Sequence, residues 1–278
     1  MSQGSHDMKP GAAKEEGIYL YCLARDGVPQ DMALQGLEEH HSVRQRTFKN
    51  ITAFMSPISL HEFCGPEATS HMKDLSWVGP RACRHEAVVE RAMDYSPVLP
   101  TRFGTIFSCL ENLEAFISEH YDTISQFLDS VTDQAEWAVK GLMDRGKARE
   151  EFVALSLAEE EKNLAQLSPG LRYFQERKIR TAAEKKLDAW LKEVSRVALK
   201  RLEPQASASQ ERPIVQTSAK GADGTVILNW AFLVPKDNMG NFLAMIDRTN
   251  RDHEQRGLVF KLSGPWPPYS FCPSLEAG

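Results

Sequence analysis

One segment constrains the fold of this chain more than any other. Residues Thr225 to Val234, TVILNWAFLV, are almost continuously apolar and are followed by Pro235. A run of this kind, rich in β-branched and aromatic residues, predicts a strand that is buried on both faces of a sheet. We predict three further strands for the same sheet, at 136–143, 212–218 and 258–262.

Helical periodicity fills the intervals between these strands. We predict helices at 149–167, 171–202 and 238–252, with a break at 168–170, where Ser-Pro-Gly can end one helix and start the next. The resulting order, β-αα-β-β-α-β, is the split βαβ of ferredoxin-like domains. In that topology the strongest strand and 136–143 are central, and the other two strands are edges. The sequence does not decide whether either edge is free to accept a strand from another chain.

The first half of the chain is predicted to be α+β without a named topology. Its predicted elements are a strand at 18–24, a hairpin at 43–48 and 51–55 turning at Lys49-Asn50, helices at 59–64, 71–95 and within 111–128, and an extended segment at 98–107. The predicted division of the chain is a flexible extension at 1–16, an α+β domain at 17–133, a ferredoxin-like domain with a long helical hairpin at 134–263, and a Pro/aromatic-rich tail at 264–278.

Composition excludes several classes of protein. The 278 residues carry a net charge of −5, which argues against a nucleic-acid partner, since such proteins are normally basic. No apolar run is long enough to span a membrane, and the polar N-terminus lacks the apolar core of a signal peptide. Five scattered cysteines without a paired motif are typical of reduced thiols in the cytoplasm.

The sequence lacks the residue sets that catalysis, cofactors or metals require, so we predict no enzyme, no cofactor and no metal site. His85-Glu86 could begin a metalloprotease helix, but the second histidine of that signature would fall on Val89. His40-His41 and His61-Glu62 have no third ligand at a recognisable spacing.

Two charged features have structural interpretations. Arg102 lies in the apolar segment predicted as extended, where a buried arginine needs a partner, and Glu86 or Glu90 on the preceding helix are the candidates. We favour this ion pair over a site for an anionic ligand. The helix at 171–203 carries ten Lys or Arg against five Asp or Glu. This predicts a solvated face that complements the acidic helix at 149–167, with RNA or an acidic surface as the alternative.

Several of these segments resemble the gas vesicle proteins of the GvpF/GvpL family. The resemblance rests on GIYLYCLA at 17–24, the HEAVVE helix segment at 85–90, VLP at 98–100 followed by RFGT at 102–105, EWAVK at 136–140, and GPWPPYSF at 264–271. These segments occur in order over nearly the whole chain. The resemblance assigns family or structural roles to a set that we call the motif residues: His85, Glu86, Glu90, Leu99, Pro100, Arg102, Phe103, Gly104, Glu136, Trp137, Lys140, Gly264, Pro265, Trp266, Pro267, Pro268 and Tyr269.

The resemblance implies a minor gas vesicle component or assembly factor, located in the cytoplasm or on the vesicle. It also implies a two-domain α+β fold with a ferredoxin-like C-terminal domain. The expected partners are the small, very hydrophobic shell protein GvpA and other accessory Gvp proteins, with no nucleic acid or membrane. A free edge in the C-terminal domain would suit strand addition by the shell protein. The alternatives are a small-molecule-sensing ferredoxin-like regulatory module and, less in keeping with the residues, an enzyme.

Overall fold

The computed structural model describes residues 16–30, 32–214 and 224–275, and the chain divides into two compact units. The first unit comprises residues 1–132 together with 272–278, and the second comprises residues 133–271. The turn predicted at 222–224 lies outside the described residues except for Gly224. The protein is a mixed α+β structure with two sheets.

The first unit is built on a five-stranded antiparallel sheet. Its strands are β1 (Glu16–Arg25), β2 (Arg44–Phe48), β3 (Ile51–Ser59), β4 (Val98–Pro100) and β5 (Ile106–Phe107). Their order is β2-β3-β1-β4, and β5 also pairs with β1. The hairpin turns at Lys49-Asn50, as predicted, with Phe48 opposite Ile51. β1 is central and almost wholly buried, because it has neighbours on both edges.

Five helices accompany this sheet. They are α1 (Leu60–Cys64), α2 (Ala68–His71), α3 (Leu75–Met93), α4 (Leu110–Glu119) and α5 (Tyr121–Ser130). α3 begins where the Asp74 carboxylate accepts a hydrogen bond from the Ser76 amide at 2.9 Å. Its buried side chains Val88, Val89 and Ala92 join the hydrophobic core that contains Tyr19 and Tyr21 of β1.

The second unit has a four-stranded antiparallel sheet. Its strands are β6 (Gln134–Met143), β7 (Ala208–Glu211), β8 (Thr225–Pro235) and β9 (Leu258–Trp266), in the order β7-β8-β6-β9. β6 and β8 are therefore central and β7 and β9 are edges, which is the arrangement predicted for the corresponding segments. The helices are α6 (Arg145–Glu159), α7 (Glu161–Ala165), α8 (Pro169–Leu202) and α9 (Met239–His253). Short 3₁₀ turns lie at Glu203–Gln205, Lys236–Asn238, Glu254–Arg256 and Tyr269–Phe271.

The core of the second unit forms where the apolar stripe of α8 packs on the sheet. The predicted stripe is confirmed, since its buried members are Leu187, Leu191, Val194, Ala198 and Leu202. They lie in one cluster with side chains of all three long strands and of α9. Repeated three- and four-residue spacing places them on a single face of the helix, which is why the pattern predicts its packing.

Several predicted elements differ from the structure. The edge strand β7 occupies Ala208–Glu211, because backbone pairing to β8 forms in a polar segment that has no apolar signal. Of the strand predicted at 212–218, residues 212–214 follow β7 outside the strand, and residues 215–218 lie outside the described residues. β9 continues to Trp266, so the first residues of the predicted tail belong to the sheet. The segment 98–107 is not continuously extended, because a turn at 101–105 separates β4 from β5.

The cysteines differ in exposure. All five are free thiols, and Cys22 is buried, whereas Cys64 and Cys83 are exposed. The two exposed residues lie on helices, Cys64 in α1 and Cys83 in α3.

Within the described ranges of the chain, no helix combines the length and the apolar composition that a membrane span requires.

Candidate functional site: two buried clusters and an exposed apex

The first group of motif residues surrounds a buried histidine in the first unit. His85 of α3 is 3% exposed, and its Nδ1 atom lies 2.9 Å from the Tyr19 hydroxyl of β1. The amide of Gly104 donates to the same hydroxyl at 3.1 Å. The hydroxyl can donate its proton to Nδ1 while it accepts from Gly104, and in that arrangement the histidine is the neutral tautomer protonated on Nε2. This arrangement joins three segments that are far apart in sequence.

Burial sets the charge of this histidine. It lowers the pKa of His85 from 6.5 to about 4, since the charged imidazolium would lose its hydration, and a hydrogen bond to the Thr101 backbone only partly opposes this. Burial also raises the pKa of the Tyr19 hydroxyl. His85 is therefore neutral near pH 7 and acts as a fixed hydrogen-bonding group.

Aromatic rings close the cluster around His85. The ring centroids of Phe103 lie 6.0 Å from His85 and 6.1 Å from Tyr19, both edge to face. Tyr21 stacks on the other side of the imidazole at 5.8 Å. Leu99 and Pro100 are buried in β4, and Pro100 pairs with Cys22 of β1. Pro100 therefore lies at the end of an edge strand, as its missing amide requires.

The prediction for Arg102 is wrong in its premise. Arg102 is exposed and lies in the turn between β4 and β5, where its carbonyl accepts from the Thr105 amide at 3.2 Å and from the Thr105 hydroxyl at 2.7 Å. A solvated guanidinium needs no buried partner, so burial does not call for an ion pair with Glu86 or Glu90. Both glutamates lie on α3, where Glu86 is partly buried and Glu90 is exposed. The turn presents Phe103 and the Gly104 amide to the cluster, and Arg102 points elsewhere.

The second group of motif residues surrounds a buried carboxylate in the second unit. Glu136 of β6 is 1% exposed. Its two oxygens accept from the Ser270 amide at 2.9 Å and from the Ser270 hydroxyl at 2.8 Å. Arg212, which follows β7, places a guanidinium nitrogen 3.7 Å from the same carboxylate. Burial raises the pKa of Glu136, and the Ser270 hydrogen bonds and the Arg212 charge only partly oppose that shift.

These contacts fix the tail on its own unit. Trp266 pairs with Glu136 at the end of β9 and is 38% exposed, whereas Pro267 and Pro268 are buried and Tyr269 is partly buried. Residues 266–270 of the predicted tail therefore pack within the second unit, whereas the predicted tail from Cys272 onward belongs to the first unit.

The remaining motif residues flank this carboxylate. Gly264, with φ of 137°, lies so close to β6 that a Cβ would meet the Glu136 carbonyl oxygen at 2.9 Å. Pro265 follows it and is exposed. Trp137 packs against the core of the second unit, and Lys140 is exposed opposite Lys261 of β9.

A different kind of surface lies where the hairpin of α6, α7 and α8 reverses direction. Leu171, Tyr173 and Phe174 in the first turns of α8 are each more than 60% exposed, and Leu167 just before the helix is 36% exposed. We call these four residues the hairpin apex. The ring centroids of Tyr173 and Phe174 are 5.8 Å apart. Leu171 lies three residues before Phe174, a spacing that places both on the same side of the helix. A shallow groove that begins at Phe174 continues along the basic side chains Arg177, Lys178 and Lys185.

The basic face of α8 is only partly complemented by its neighbour. Lys186 pairs with Glu159 of α6 as predicted, at 3.1 Å. In two other ion pairs the signs are reversed, because arginines of α6 meet acids of α8: Arg145 with Asp188 at 2.9 Å, and Arg149 with Glu184 at 2.7 Å. All three pairs are largely exposed, so each contributes little stability.

Chemically, the two clusters are suited to holding segments together. In the first, His85 contacts the Tyr19 hydroxyl, which also accepts from the Gly104 amide. In the second, Glu136 accepts from both the amide and the hydroxyl of Ser270. Tyr19, Ser270 and the hairpin apex were not predicted from the sequence. Tyr19 and Ser270 lie inside the quoted segments, but nothing in their spacing shows which side chains meet. The apex could have been found from Leu171, Tyr173 and Phe174, since they lie outside the apolar stripe that starts at Leu187.

Comparison with known proteins gives a consistent result. The sequence profile of the family described as gas vesicle synthesis protein GvpL/GvpF matches residues 17–273. A gas vesicle protein L from Streptomyces sp. is 24% identical over 266 residues, covering 93% of both chains. Gas vesicle protein L1 from Halobacterium salinarum is also 24% identical, covering 93% of this chain and 91% of that protein.

Solved structures agree with the fold. The crystal structure of GvpF from Anabaena sp. superposes with a TM-score of 0.66 at 21% identity, covering 93% of this chain and 97% of that one. GvpF from Microcystis aeruginosa gives a TM-score of 0.63 at 18% identity, covering 93% and 99%. Because the family profile spans almost the whole chain, the protein belongs to the gas vesicle GvpL/GvpF family.

Proposed function

We propose that this protein is a non-enzymatic accessory factor of gas vesicle formation, and that it binds the hydrophobic shell protein GvpA through the hairpin apex. The observation that carries this proposal is the exposure of Leu171, Tyr173 and Phe174. Contiguous exposed apolar side chains are a liability unless they bind something. Membership of a gas vesicle synthesis family supports a partner within that process, which includes the other accessory Gvp proteins.

The position of the apex suits a self-associating apolar subunit. α8 runs for 34 residues and is anchored by its buried C-terminal half, so its first turns are presented on a rigid element. Aromatic side chains provide a large contact area, and the flanking Arg177 and Lys178 form the polar rim that protein interfaces commonly have. Such a surface could cover apolar surface of a shell subunit until the subunit is placed.

The fold around the apex supports a finer classification. We infer that the second unit is ferredoxin-like, because its antiparallel order β7-β8-β6-β9 and its helix positions follow the β-αα-β-β-α-β pattern. The helical hairpin is then the first crossover of that fold, enlarged into a projection.

Strand addition, the route suggested by the sequence, is disfavoured at β9. The Phe260 amide donates to Oδ1 of Asn250 at 2.7 Å, and Nδ2 of Asn250 donates to the Phe260 carbonyl at 3.0 Å. The N–H and C=O of one residue in a strand point to the same side, so these bonds occupy the outward-facing groups of Phe260. Asn250 thus blocks this edge near the start of β9.

The edge at β7 is different. The Arg212 amide donates to the Asn229 carbonyl of β8 at 2.8 Å. Because the backbone groups of successive strand residues point to alternate sides, the N–H and C=O of Gln210 face β8, whereas those of Ser209 and Glu211 face away from it. We keep β7 as the competing contact site, although only a short strand is available there.

Co-expression with the shell protein tests the proposal. We expect GvpA to co-purify with the wild-type chain in soluble form, and we expect the triple substitution L171S/Y173S/F174S to reduce the recovered GvpA at least roughly tenfold, because interface energy concentrates in buried aromatic anchors. The matched control is Leu155→Ser, which removes a 49% exposed leucine from α6 of the same hairpin. Circular dichroism of each variant checks that the hairpin is folded.

A second variant separates the two contact sites. Ser209→Pro removes an amide that points away from β8, so the sheet should tolerate it. Loss of GvpA with Ser209→Pro but not with the triple variant would overturn the apex proposal in favour of strand addition. If the wild-type chain recovers no GvpA even with the full set of accessory proteins, the binding proposal is wrong.

A further inference from the structure

We propose that Glu38, His40 and His41 form a binding site for a divalent transition-metal cation, represented by Zn²⁺, in the first unit. One ligand atom from each residue lies within 4.8 Å of the others. Nε2 of His40 is 3.5 Å and Nε2 of His41 is 3.6 Å from the same oxygen, Oε2 of Glu38. Glu38 was not predicted as a third ligand for His40 and His41, because it precedes them at a spacing that matches no known motif. Only the conformation of the loop at 35–42 brings its carboxylate next to the two imidazoles.

The distances fit tetrahedral coordination. With Zn–N and Zn–O bonds of about 2.0–2.1 Å, two ligand atoms of a tetrahedral site are roughly 3.3 Å apart. The separations from Oε2 to both Nε2 atoms differ from that value by only a few tenths of an ångström. The two imidazole rings lie side by side, with centroids 4.2 Å apart. Two histidines and a glutamate are an established zinc-ligand set, and they leave a fourth position open to water or to a partner's side chain.

The carboxylate is oriented before any cation binds. Glu38 is only 7% exposed, and its Oε1 atom accepts a hydrogen bond from the Ser59 amide at 3.3 Å. That bond leaves Oε2 directed at the two histidines. A hydrogen bond of this kind, from the Ser59 amide to the ligating carboxylate, is the outer support that metal ligands normally have.

The loop that carries the ligands, residues 35–42, is fixed at several points. The Gly36 amide donates to the His41 carbonyl at 2.8 Å, and the Leu37 amide donates to the Tyr21 hydroxyl at 2.8 Å. Nη1 of Arg84 donates to the Leu37 carbonyl at 2.7 Å, while its other nitrogen pairs with Glu39, which offsets the positive charge near the site. A fixed loop loses little conformational entropy when a cation binds, so affinity is not lost to ordering.

The position of the site gives it a use distinct from the hairpin apex. His40 is 71% exposed, so a bound cation would be accessible from outside and could accept a further ligand from another protein. A cation there would also stabilise the loop that hydrogen-bonds to Tyr21, and hence the core of the first unit.

Zinc binding by the full chain, after removal of metal with a chelator, tests this inference. We expect a single equivalent of Zn²⁺ to compete successfully with a chromophoric chelator. We expect Glu38→Gln and His40→Ala each to weaken binding roughly tenfold or more, because each removes one of three ligands. Gln can still accept the Ser59 hydrogen bond, and His40 is so exposed that its loss leaves the fold intact, so either variant is a fair test.

The matched control is Glu67→Gln. Oε2 of Glu67 lies 3.8 Å from Nε2 of His71, so this variant also removes a carboxylate from a Glu–His ion pair, but that pair contains a single histidine. It should leave Zn²⁺ binding unchanged. Zn²⁺ should also raise the thermal unfolding midpoint of the wild type and not that of His40→Ala. Absence of stoichiometric binding, or binding by His40→Ala as tight as by the wild type, would overturn the inference.

Discussion

His85 in the first unit and Glu136 in the second occupy comparable positions and respond to pH in opposite ways. Each is almost fully buried and each holds a segment from far along the chain, the Thr101–Thr105 turn in one case and the tail at Ser270 in the other. Burial disfavours the charged form of both, so it lowers the pKa of His85 and raises that of Glu136. The same physical cause therefore produces opposite pH dependences in the two units.

The signs follow from proton counting. Between pH 6.5 and about 4 the unfolded state binds more protons at His85 than the folded state does, so the stability of the first unit falls as the pH decreases through this range. At Glu136 the folded state binds more protons just above the unfolded pKa of about 4.5. The contribution of Glu136 to stability therefore decreases as the pH rises from that value.

The largest effect is expected from acidification of the first unit. The difference between an unfolded pKa of 6.5 and a folded pKa of about 4 corresponds to a loss of about 3 kcal/mol in the free energy of unfolding once the pH is below 4. Hydrogen exchange of peptides from β1 and α3, corrected for intrinsic rates, measures this loss at a series of pH values. His85→Gln should flatten the profile between pH 6.5 and 4.

Peptides from β6 and β9 serve as the internal control, since they report the unit that contains Glu136. Their protection should be insensitive to His85→Gln. A wild-type profile of β1 that is flat between pH 6.5 and 4 would show that His85 protonates without disturbing the cluster, and the comparison between the units would fail.

A smaller effect is expected when the carboxylate of Glu136 is removed. Glu136→Ala leaves the Ser270 amide without its acceptor and should lower the free energy of unfolding by about 2 kcal/mol. Glu136→Gln keeps an acceptor oxygen and removes the buried charge, so it should cost much less. Limited proteolysis after Trp266 measures release of the tail, and equal cleavage of both variants would mean that the carboxylate does not hold it.

Sequence patterns predicted those parts of the fold that depend on side-chain burial. The central strand β8 and the stripe of α8 are confirmed, because an apolar face repeats at a fixed period there. The edge strand β7 was misplaced, since Ala-Ser-Gln-Glu contains no such signal and its pairing depends on backbone groups alone. The turn at 101–105 was included in an extended segment because apolar residues flank it on both sides, at 98–100 and at 106–107.

The sites were less predictable than the fold. His85, Gly104 and Glu136 were selected by resemblance, but their partners Tyr19 and Ser270 were not, because each contact joins residues more than sixty positions apart. The position of the Glu38 oxygen that faces His40 and His41 depends on the conformation of one loop, residues 35–42. Contacts of this kind follow from tertiary structure and have no local periodicity that could reveal them.

The smallest expected effect is the difference in cost between substitutions at two glycines, one from each cluster. Gly104 has φ of 90° and Gly264 has φ of 137°, a region that L-residues rarely adopt. A Cβ at Gly104 would meet nothing within 4 Å, so Gly104→Ala should cost about 1 kcal/mol from backbone strain alone. A Cβ at Gly264 would also approach the Glu136 carbonyl oxygen at 2.9 Å, so Gly264→Ala should cost about 1 kcal/mol more. Hydrogen exchange of each unit measures both costs. Equal costs would mean that β9 can shift away from β6, and that the second cluster is held less tightly than the first.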